Sequence, residues 1–439
     1  MNSNIPFRQA LLFWLKLGFI SFGGPAGQIS IMHQELVERR RWISEKRFLH
    51  ALNYCMVLPG PEAQQLATYI GWLLHRTWGG IVAGTLFVLP SLFILIALSW
   101  VYIAFGEMPL VAGLFYGIKP AVTAIVFQAA HRIGSRALKN HGLVAIAAAS
   151  FVAIFAFNLP FPLIVLVAAC TGYLGGRLKP AAFSGGGGHG AAKTSHGPAI
   201  IDDKTPTPAH ALFSWQRFGR VALTGVLLWS LPMALLTLML GWNHTLTQMG
   251  WFFTKAALLT FGGAYAVLPY VYQGAVGHYG WLTPTQMMDG LALGETTPGP
   301  LIMVVAFVGF VGGYVKALFG PDQLFMAGAT AAVLVTWFTF LPSFIFILLG
   351  GPFVETTHNN LKLTAPLTAI TAAVVGVIVN LALFFGLHVL FPDGISGRFD
   401  AASFAIAAAA GIALFRFKAN VIHVLLACAV AGVLVKAAF

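Results

Sequence analysis

Four charged side chains lie inside otherwise apolar segments of this sequence: Lys16, Glu62, Lys255 and Glu295. An ionisable group at membrane depth is costly and is functional by default. The two lysines are suited to offsetting the charge of a bound anion. The two glutamates are suited to carrying a proton, or to pairing with the lysines when no anion is present. Close to these charges the chain is broken by glycine and proline, at Gly23-Gly24-Pro25 and Pro59-Gly60-Pro61, and again at Gly262-Gly263 and Pro298-Gly299-Pro300. A helix that restarts after such a break presents free N–H groups and the positive end of its dipole, which together make an anion site. One motif of this kind reads more readily as a kink that lets helices approach closely; four in matched pairs read as a binding site. Gln28 belongs to the same set, and Asn53, Gln64, Gln65, Thr296 and Thr297 add side chains able to hydrogen-bond an oxyanion. Lys119 ranks behind them, because its repeat partner is Ala365. The plainer alternatives are that Lys16 snorkels to the interface and that Glu62 caps a helix start.

Composition says what must hold these residues. Of 439 residues only 9% are charged and 58% are hydrophobic, with a mean hydropathy of +0.82. A soluble domain carries about 25% charged residues, so a soluble fold is excluded and a polytopic membrane protein remains. The formal net charge of +12 comes without the basic face or aromatic platform of a nucleic-acid module, so no nucleic-acid partner is expected. Cys55, Cys170 and Cys428 all sit in apolar runs and form no CxxC metal site or disulfide framework. No GxSxG, HExxH or Walker A motif appears, so neither enzyme chemistry nor a cofactor is expected. Lys16 interrupts the first apolar stretch, which argues against a cleavable leader.

About 13 apolar segments can be counted against the roughly 20 residues that a spanning helix needs. The long polar stretch around Arg177–Arg220 contains Gly185–Gly188, several prolines and Asp202-Asp203-Lys204, and reads as a flexible linker. Its His189, His196 and His210 read as solvent-exposed residues rather than metal ligands. On either side of it runs one repeated pattern. Ser21-Phe22-Gly23-Gly24 is matched by Thr260-Phe261-Gly262-Gly263, an offset of 239 (260 minus 21) that also pairs Lys16 with Lys255, Trp42 with Trp281 and Pro59-Gly60-Pro61 with Pro298-Gly299-Pro300. Leu89-Pro90-Ser91 recurs as Leu341-Pro342-Ser343 after a small length change. Glu62 and Glu295 are not register mates. This is an internal duplication.

The loops orient it. Residues 33–47 carry Arg39, Arg40, Arg41, Lys46 and Arg47 and should face the cytoplasm, whereas their counterparts 272–286 carry no Lys, Arg, Asp or Glu. The halves therefore lie in opposite orientations, a recurring transporter construction. Arg132, Arg136 and Lys139 form a second basic loop. It stays inside only if residues 49–74 dip into the membrane and return, which non-helical backbone permits where it is buried in protein or lines a wet cavity. The expected fold is an all-α polytopic membrane protein with an inverted-topology internal repeat and broken or re-entrant helices. Its expected divisions are a repeat at 1–177, a cytoplasmic linker at 178–220, an inverting helix at 221–241 and a second repeat at 242–439. Nine spans with four broken segments compete with thirteen full spans.

Phe22-Gly23-Gly24-Pro25, the basic loop with Trp42, and Leu58-Pro59-Gly60-Pro61-Glu62-Ala63 resemble the amino-terminal half of the chromate ion transporters. Phe261-Gly262-Gly263, Trp281-Leu282-Thr283 and Thr297-Pro298-Gly299-Pro300 resemble their carboxyl-terminal half, in the long two-domain form. The resemblance implies a multi-pass protein of the bacterial inner membrane that exports chromate, confers chromate resistance and draws on an ion gradient. Chromate, with sulfate and protons as further candidate ligands, and the lipid bilayer are the partners it implies; a homo-oligomer stays open, and so does a permease for sulfate. A membrane-embedded enzyme is the reading from another class that the mirrored duplication disfavours.

Overall fold

The computed structural model describes residues 5–22, 24–183, 198–203, 205–261, 263–356, 364–394 and 396–438. Gly23, Gly262, His189 and His196 lie outside them. The regular secondary structure among the described residues is helical, apart from one isolated bridge between Ile43 and Ile201. In the first half the helices are α1 (Phe7–Ile20), α2 (Gly24–His33), α3 (Glu45–Val57), α4 (Glu62–Phe105), α5 (Pro109–Ala137), α6 (His141–Phe155), α7 (Phe161–Leu178) and the short α8 (Pro180–Phe183). Helix α9 (Trp215–Leu240) leads to α10 (Thr245–Leu258), α11 (Ala264–Tyr272), α12 (Pro284–Thr296), α13 (Val304–Val315), α14 (Leu324–Thr356), α15 (Thr364–Leu390), α16 (Ala401–Phe415) and α17 (Val421–Ala438). Helix α9 starts six residues before the 221 read from sequence, because Trp215–Arg220 continue it as a polar first turn and a half.

Among the described residues seven helices are long and apolar enough to cross a membrane, and the shorter apolar helices are α6, α16 and Leu301–Val315, which contains α13. Beside the breaks, α1, α2, α3, α10, α11 and α12 are not among them, whereas α4 and the Leu301–Val315 stretch begin directly after the two Pro-Gly-Pro turns. At 1.5 Å per residue α3 and α12, of 13 residues each, reach only about 20 Å, short of the roughly 30 Å hydrocarbon core. Neither is long enough to span it alone. Helix α4 also gives way at His75 and Arg76, where Arg76 takes φ +56°, so its first segment closes a hairpin with α3 and the remainder is a separate span. Large apolar side chains cover the outside, with Leu178, Leu238 and Trp78 among the most exposed. Such a surface suits lipid rather than water.

The duplication extends to backbone detail. A π-helical turn at Gln34–Arg39 recurs at Gln273–His278, in the sequence register. Trp42 N–H donates to the Leu36 carbonyl at 2.8 Å, and Trp281 N–H to the Ala275 carbonyl at 2.7 Å. The halves interlock through their equivalent spans: α4 packs on α14 and α5 on α15, while α6 and α7 lie against α15 and α16 and α17 against α5. Gly117 and Gly432 have backbone against them where a Cβ would stand, which lets α5 and α17 meet at close range.

The two halves run in opposite directions. Thr285 and Gln286, beside the uncharged loop, share a cavity with Gly106 and Glu107 at the far end of α4. The basic loop is at the other end, where Arg47 donates to the Thr205 carbonyl and Ser44 to Asp203. His210 there hydrogen-bonds the Trp72 carbonyl at 2.9 Å and stacks edge-on against the Trp72 ring. His210 is thus docked and half-buried, not the solvent-exposed residue that its Gly/Pro-rich surroundings suggest. The Asn140 side chain donates to the Ala182 carbonyl, joining the second basic loop to α8.

Candidate functional site

The four breaks meet in the interior, and they meet crosswise. Gly60 N–H donates to the Thr260 carbonyl at 2.7 Å, and Gly299 N–H donates to the Ser21 carbonyl at 2.8 Å. Gly60 and Gly299 are register mates, as are Ser21 and Thr260, so each half's Pro-Gly-Pro turn is bonded to the other half's Gly-Gly break. These contacts need glycine. Gly60 has φ +127° and Gly299 φ +99°, a region that L side chains rarely enter. A Cβ on Gly60 would strike the Ser343 hydroxyl and the Gln65 amide, and one on Gly299 would strike Ser91. Ser91 and Ser343 are the equivalent residues of the Leu-Pro-Ser repeat, so the same serine seats the opposite turn in both halves.

Gly24 and Gly263, at φ +68° and +101°, are different: a Cβ there would find nothing within 4 Å. The two Gly-Gly breaks border open space while the Pro-Gly-Pro turns are tightly packed. The helices that start here lack side-chain caps. Pro61 precedes α4 and Gly263 precedes α11, neither offering a cap bond, and Pro300 precedes the turn Leu301–Met303 without one. Pro59 carries a carbonyl that accepts from Gln65 Nε2 at 2.8 Å, and Pro298 opens the opposite turn, buried like Gly299 and Pro300. First N–H groups and positive dipole ends therefore collect around the crossing.

Buried polar side chains complete it. Gln28 is 1% exposed and its Nε2 donates to the Gly299 carbonyl at 2.5 Å. Its Oε1 has no partner, and the same holds for the Ser21 and Ser91 hydroxyls and for the Oε1 atoms of Gln64 and Gln65. Buried polar atoms are normally paired; these five orphans, on the broken segments and on the α4 span beside them, mark a place built for a polar guest. Asn53 is exposed on α3, away from this group, and the Thr296 and Thr297 hydroxyls are spent on the Leu293 and Gly294 carbonyls.

The charged candidates are distributed otherwise than the sequence leads one to expect. Lys16 lies on the exposed face of α1. Lys255 is partly exposed, its ammonium 5.6 Å from the Trp251 ring centroid. Neither lysine pairs with a glutamate: Glu295 accepts from the Tyr265 hydroxyl, with the charge of Arg132 acting on it, and Glu62 begins α4 near the Cys55 thiol. The lysines belong to the helices before each break, and the helical period turns both side chains outward. Lys119, ranked low for want of a repeat partner, is instead an ion-pair residue, 3.7 Å from Asp289. Asp289 itself was not singled out from the sequence, although a lone carboxylate between Met288 and Gly290 in an apolar run is a signal in its own right.

The fold and this crossing define a multi-pass, inverted-repeat membrane protein with a dipole-lined interior. The Chromate transporter family profile matches residues 8–173 and 247–433. The chain is 33% identical over 432 residues to the chromate transport protein of Pseudomonas aeruginosa, covering 98% of this chain and 92% of that one. It is 29% identical to the chromate transport protein of Cupriavidus metallidurans, over 84% of this chain and 80% of the other. A probable chromate transport protein of Synechococcus elongatus shares 27% over 86% and 84%. The chain belongs to the chromate transporter family. No solved structure matches it.

Proposed function

We propose that the protein is a secondary transporter that carries chromate out across the bacterial cytoplasmic membrane, coupled to an ion gradient, and so confers chromate resistance. One observation carries this reading: the crossed pair of hydrogen bonds, Gly60 to Thr260 and Gly299 to Ser21, that gathers three uncapped helix starts and the unpaired Ser21 and Ser91 hydroxyls in the interior. Chromate is a tetrahedral dianion. The open space beside Gly24 and Gly263 would receive it, and the N–H groups after each break, with the Ser21 and Ser91 hydroxyls, would donate to its oxygens. The two glutamine side chains Gln28 and Gln64 would rotate their amide donors onto it. Rocking of one half against the other about this fixed crossing would alternate access. Fixed dipoles, rather than Lys16 and Lys255, offset the charge in this scheme.

Everted vesicles given radiolabelled chromate, with sulfate as competitor and with or without an imposed proton gradient, test it. A hydrogen bond to a charged group contributes about 1.5–3 kcal/mol. The double variant Ser21→Ala/Gln28→Leu should therefore lose roughly tenfold to a hundredfold in chromate flux or more, while Lys16→Met and Lys255→Met retain it. Undiminished flux in the double variant, or abolished flux in both lysine variants with insertion intact, would refute the dipole cradle.

A further inference from the structure

At the end of the molecule opposite the basic loops lies a cavity of about 850 Å3. The span of α4 beyond its kink, residues 77–105, is about 43 Å long at 1.5 Å per residue and puts this cavity on the outward side. At its floor Asp289 is 2% exposed. Its Oδ2 accepts from the Tyr102 hydroxyl at 2.8 Å and lies 3.7 Å from Lys119 Nζ, while Oδ1 has no partner. The titratable and charged groups facing this floor are Tyr102 and Glu107 at the end of α4, Tyr116 and Lys119 on α5, Tyr314 on α13 and Lys436 on α17. Tyr116 is itself engaged, donating to Asp400 at 2.8 Å, and the Lys436 ammonium lies 5.2 Å from the Tyr116 ring centroid.

We infer that Asp289 is the protonation site through which transport is coupled to a proton gradient, with Lys119 as its charge partner; this rests on the transport reading above. Three features carry it. The first is the orphaned Oδ1, a free acceptor where a proton from the outer aqueous face forms an O–H bond, converting the carboxylate to a carboxylic acid. The second is the set of partners. A tyrosine hydroxyl and an ammonium are donors, so Asp289 lacks the converging oxygens that a sodium-like hard cation requires, whereas a proton requires none. The third is placement. Asp289 is on α12, about 10 Å along the helix from Thr296 and the Pro298-Gly299-Pro300 turn. The Tyr102 ring is 5.4 Å from Phe307 on α13, the second arm of that hairpin. Protonation removes the charge that holds Lys119, releases α12 from α5, and so reaches the crossing through the hairpin that carries it.

The full-length protein in proteoliposomes, with an internal pH dye and radiolabelled chromate, tests the assignment. Chromate exchange with no gradient reports the transport site, and stimulation by an imposed pH gradient reports the coupling. Asp289→Asn should exchange chromate as the wild type does, yet lose the gradient stimulation and the pH change that accompanies chromate flux. Asp289→Glu, which restores a carboxyl group, should recover both. A D289N protein still driven by the gradient would overturn the assignment. So would parallel loss of exchange and stimulation in D289N and D289E, which would give Asp289 a purely structural role. Absence of any wild-type chromate flux would instead bring down the transport reading, and the coupling with it.

Discussion

Replacing Gly299 by alanine should damage the protein more than replacing Gly263, although both have a backbone unsuited to a side chain. At Gly263, φ +101° imposes strain and nothing else, for no atom stands within 4 Å of the new methyl group. Such strain costs about 1–3 kcal/mol. At Gly299 the same strain, at φ +99°, is joined by a methyl group 2.8 Å from Ser91 Cβ, closer than real carbon contacts come. Overpacking of this kind adds about 1–3 kcal/mol, and pushing the turn away loses the bond to the Ser21 carbonyl, worth about 1 kcal/mol. Gly299→Ala should therefore be less stable than Gly263→Ala by about 2–4 kcal/mol. Removing the obstruction provides the internal check. Because the Ser91 hydroxyl has no partner, Ser91→Gly loses little hydrogen bonding and makes room for the methyl group. The double variant Gly299→Ala/Ser91→Gly should regain the overpacking cost and keep only the strain. Unfolding of the detergent-solubilised protein, followed by tryptophan fluorescence alongside chromate flux, reads both quantities. Equal destabilisation by Gly299→Ala and Gly263→Ala, or no recovery in the double variant, would refute the seating of the turn on Ser91.

Two further outcomes follow from the arrangement of the ends. With the exposed Cys170 replaced by serine, a cysteine at Lys139 should be labelled only from the cytoplasmic side and one at Glu107 only from outside; an external label at 139 would refute the re-entrant hairpin formed by α3 and the start of α4. The docked segment 198–214 should loosen on mild acidification. Burial of the His210 imidazole, with the charges of Arg76 and Arg217, lowers its affinity for protons despite the carbonyls of Trp72 and Leu73. The undocked segment thus binds more protons, so docking is fully present above the ordinary imidazole range and is lost as pH falls through it. Hydrogen exchange at Ile200, Ile201 and Ser44, whose N–H groups bond Arg41, Trp42 and Ile201 carbonyls, should accelerate as pH drops below about 6.5 relative to the intrinsic rate. His210→Gln should flatten that dependence, and an unchanged profile in this variant would refute the role of His210.

Much of the fold is legible in the sequence because backbone breaks are written in glycine and proline. The offset of 239 residues predicts not only matched motifs but matched hydrogen bonds at Trp42 and Trp281, since the same local sequence forces the same π-helical turn. The crosswise pairing of Gly60 with Thr260 is not legible. It joins residues 200 apart through main-chain atoms, and nothing in a side-chain pattern encodes which carbonyl a freed N–H will find. Lys16 and Lys255 misdirect for a related reason. Membrane depth can be read from a sequence of apolar neighbours, but whether a side chain at that depth points inward depends on which face of α1 or α10 meets the other helices. Asp289 escapes notice because its partners, Tyr102 and Lys119, come from two other spans.

The repeat is closely symmetric in its backbone and unequal in its side chains, and that inequality bears on direction. Gln28, Gln64 and Gln65 have Val267, Met303 and Val304 as their register mates, so the polar lining of the crossing comes mainly from the first half. The two ends differ as well. On the outward side Asp289 keeps one oxygen free beside Lys119. On the cytoplasmic side the buried carboxylate is Glu355, whose Oε1 accepts from Tyr69 at 2.5 Å and whose Oε2 faces Arg47 at 3.7 Å. Both are acid, base and tyrosine clusters spanning a hairpin and a long helix. Both oxygens of Glu355 thus face a donor, whereas one oxygen of Asp289 does not. If Asp289 is the coupling site inferred above, a proton gradient acts at one end of the duplicated backbone and not at the other. A strictly symmetric duplication would lack that difference between its ends.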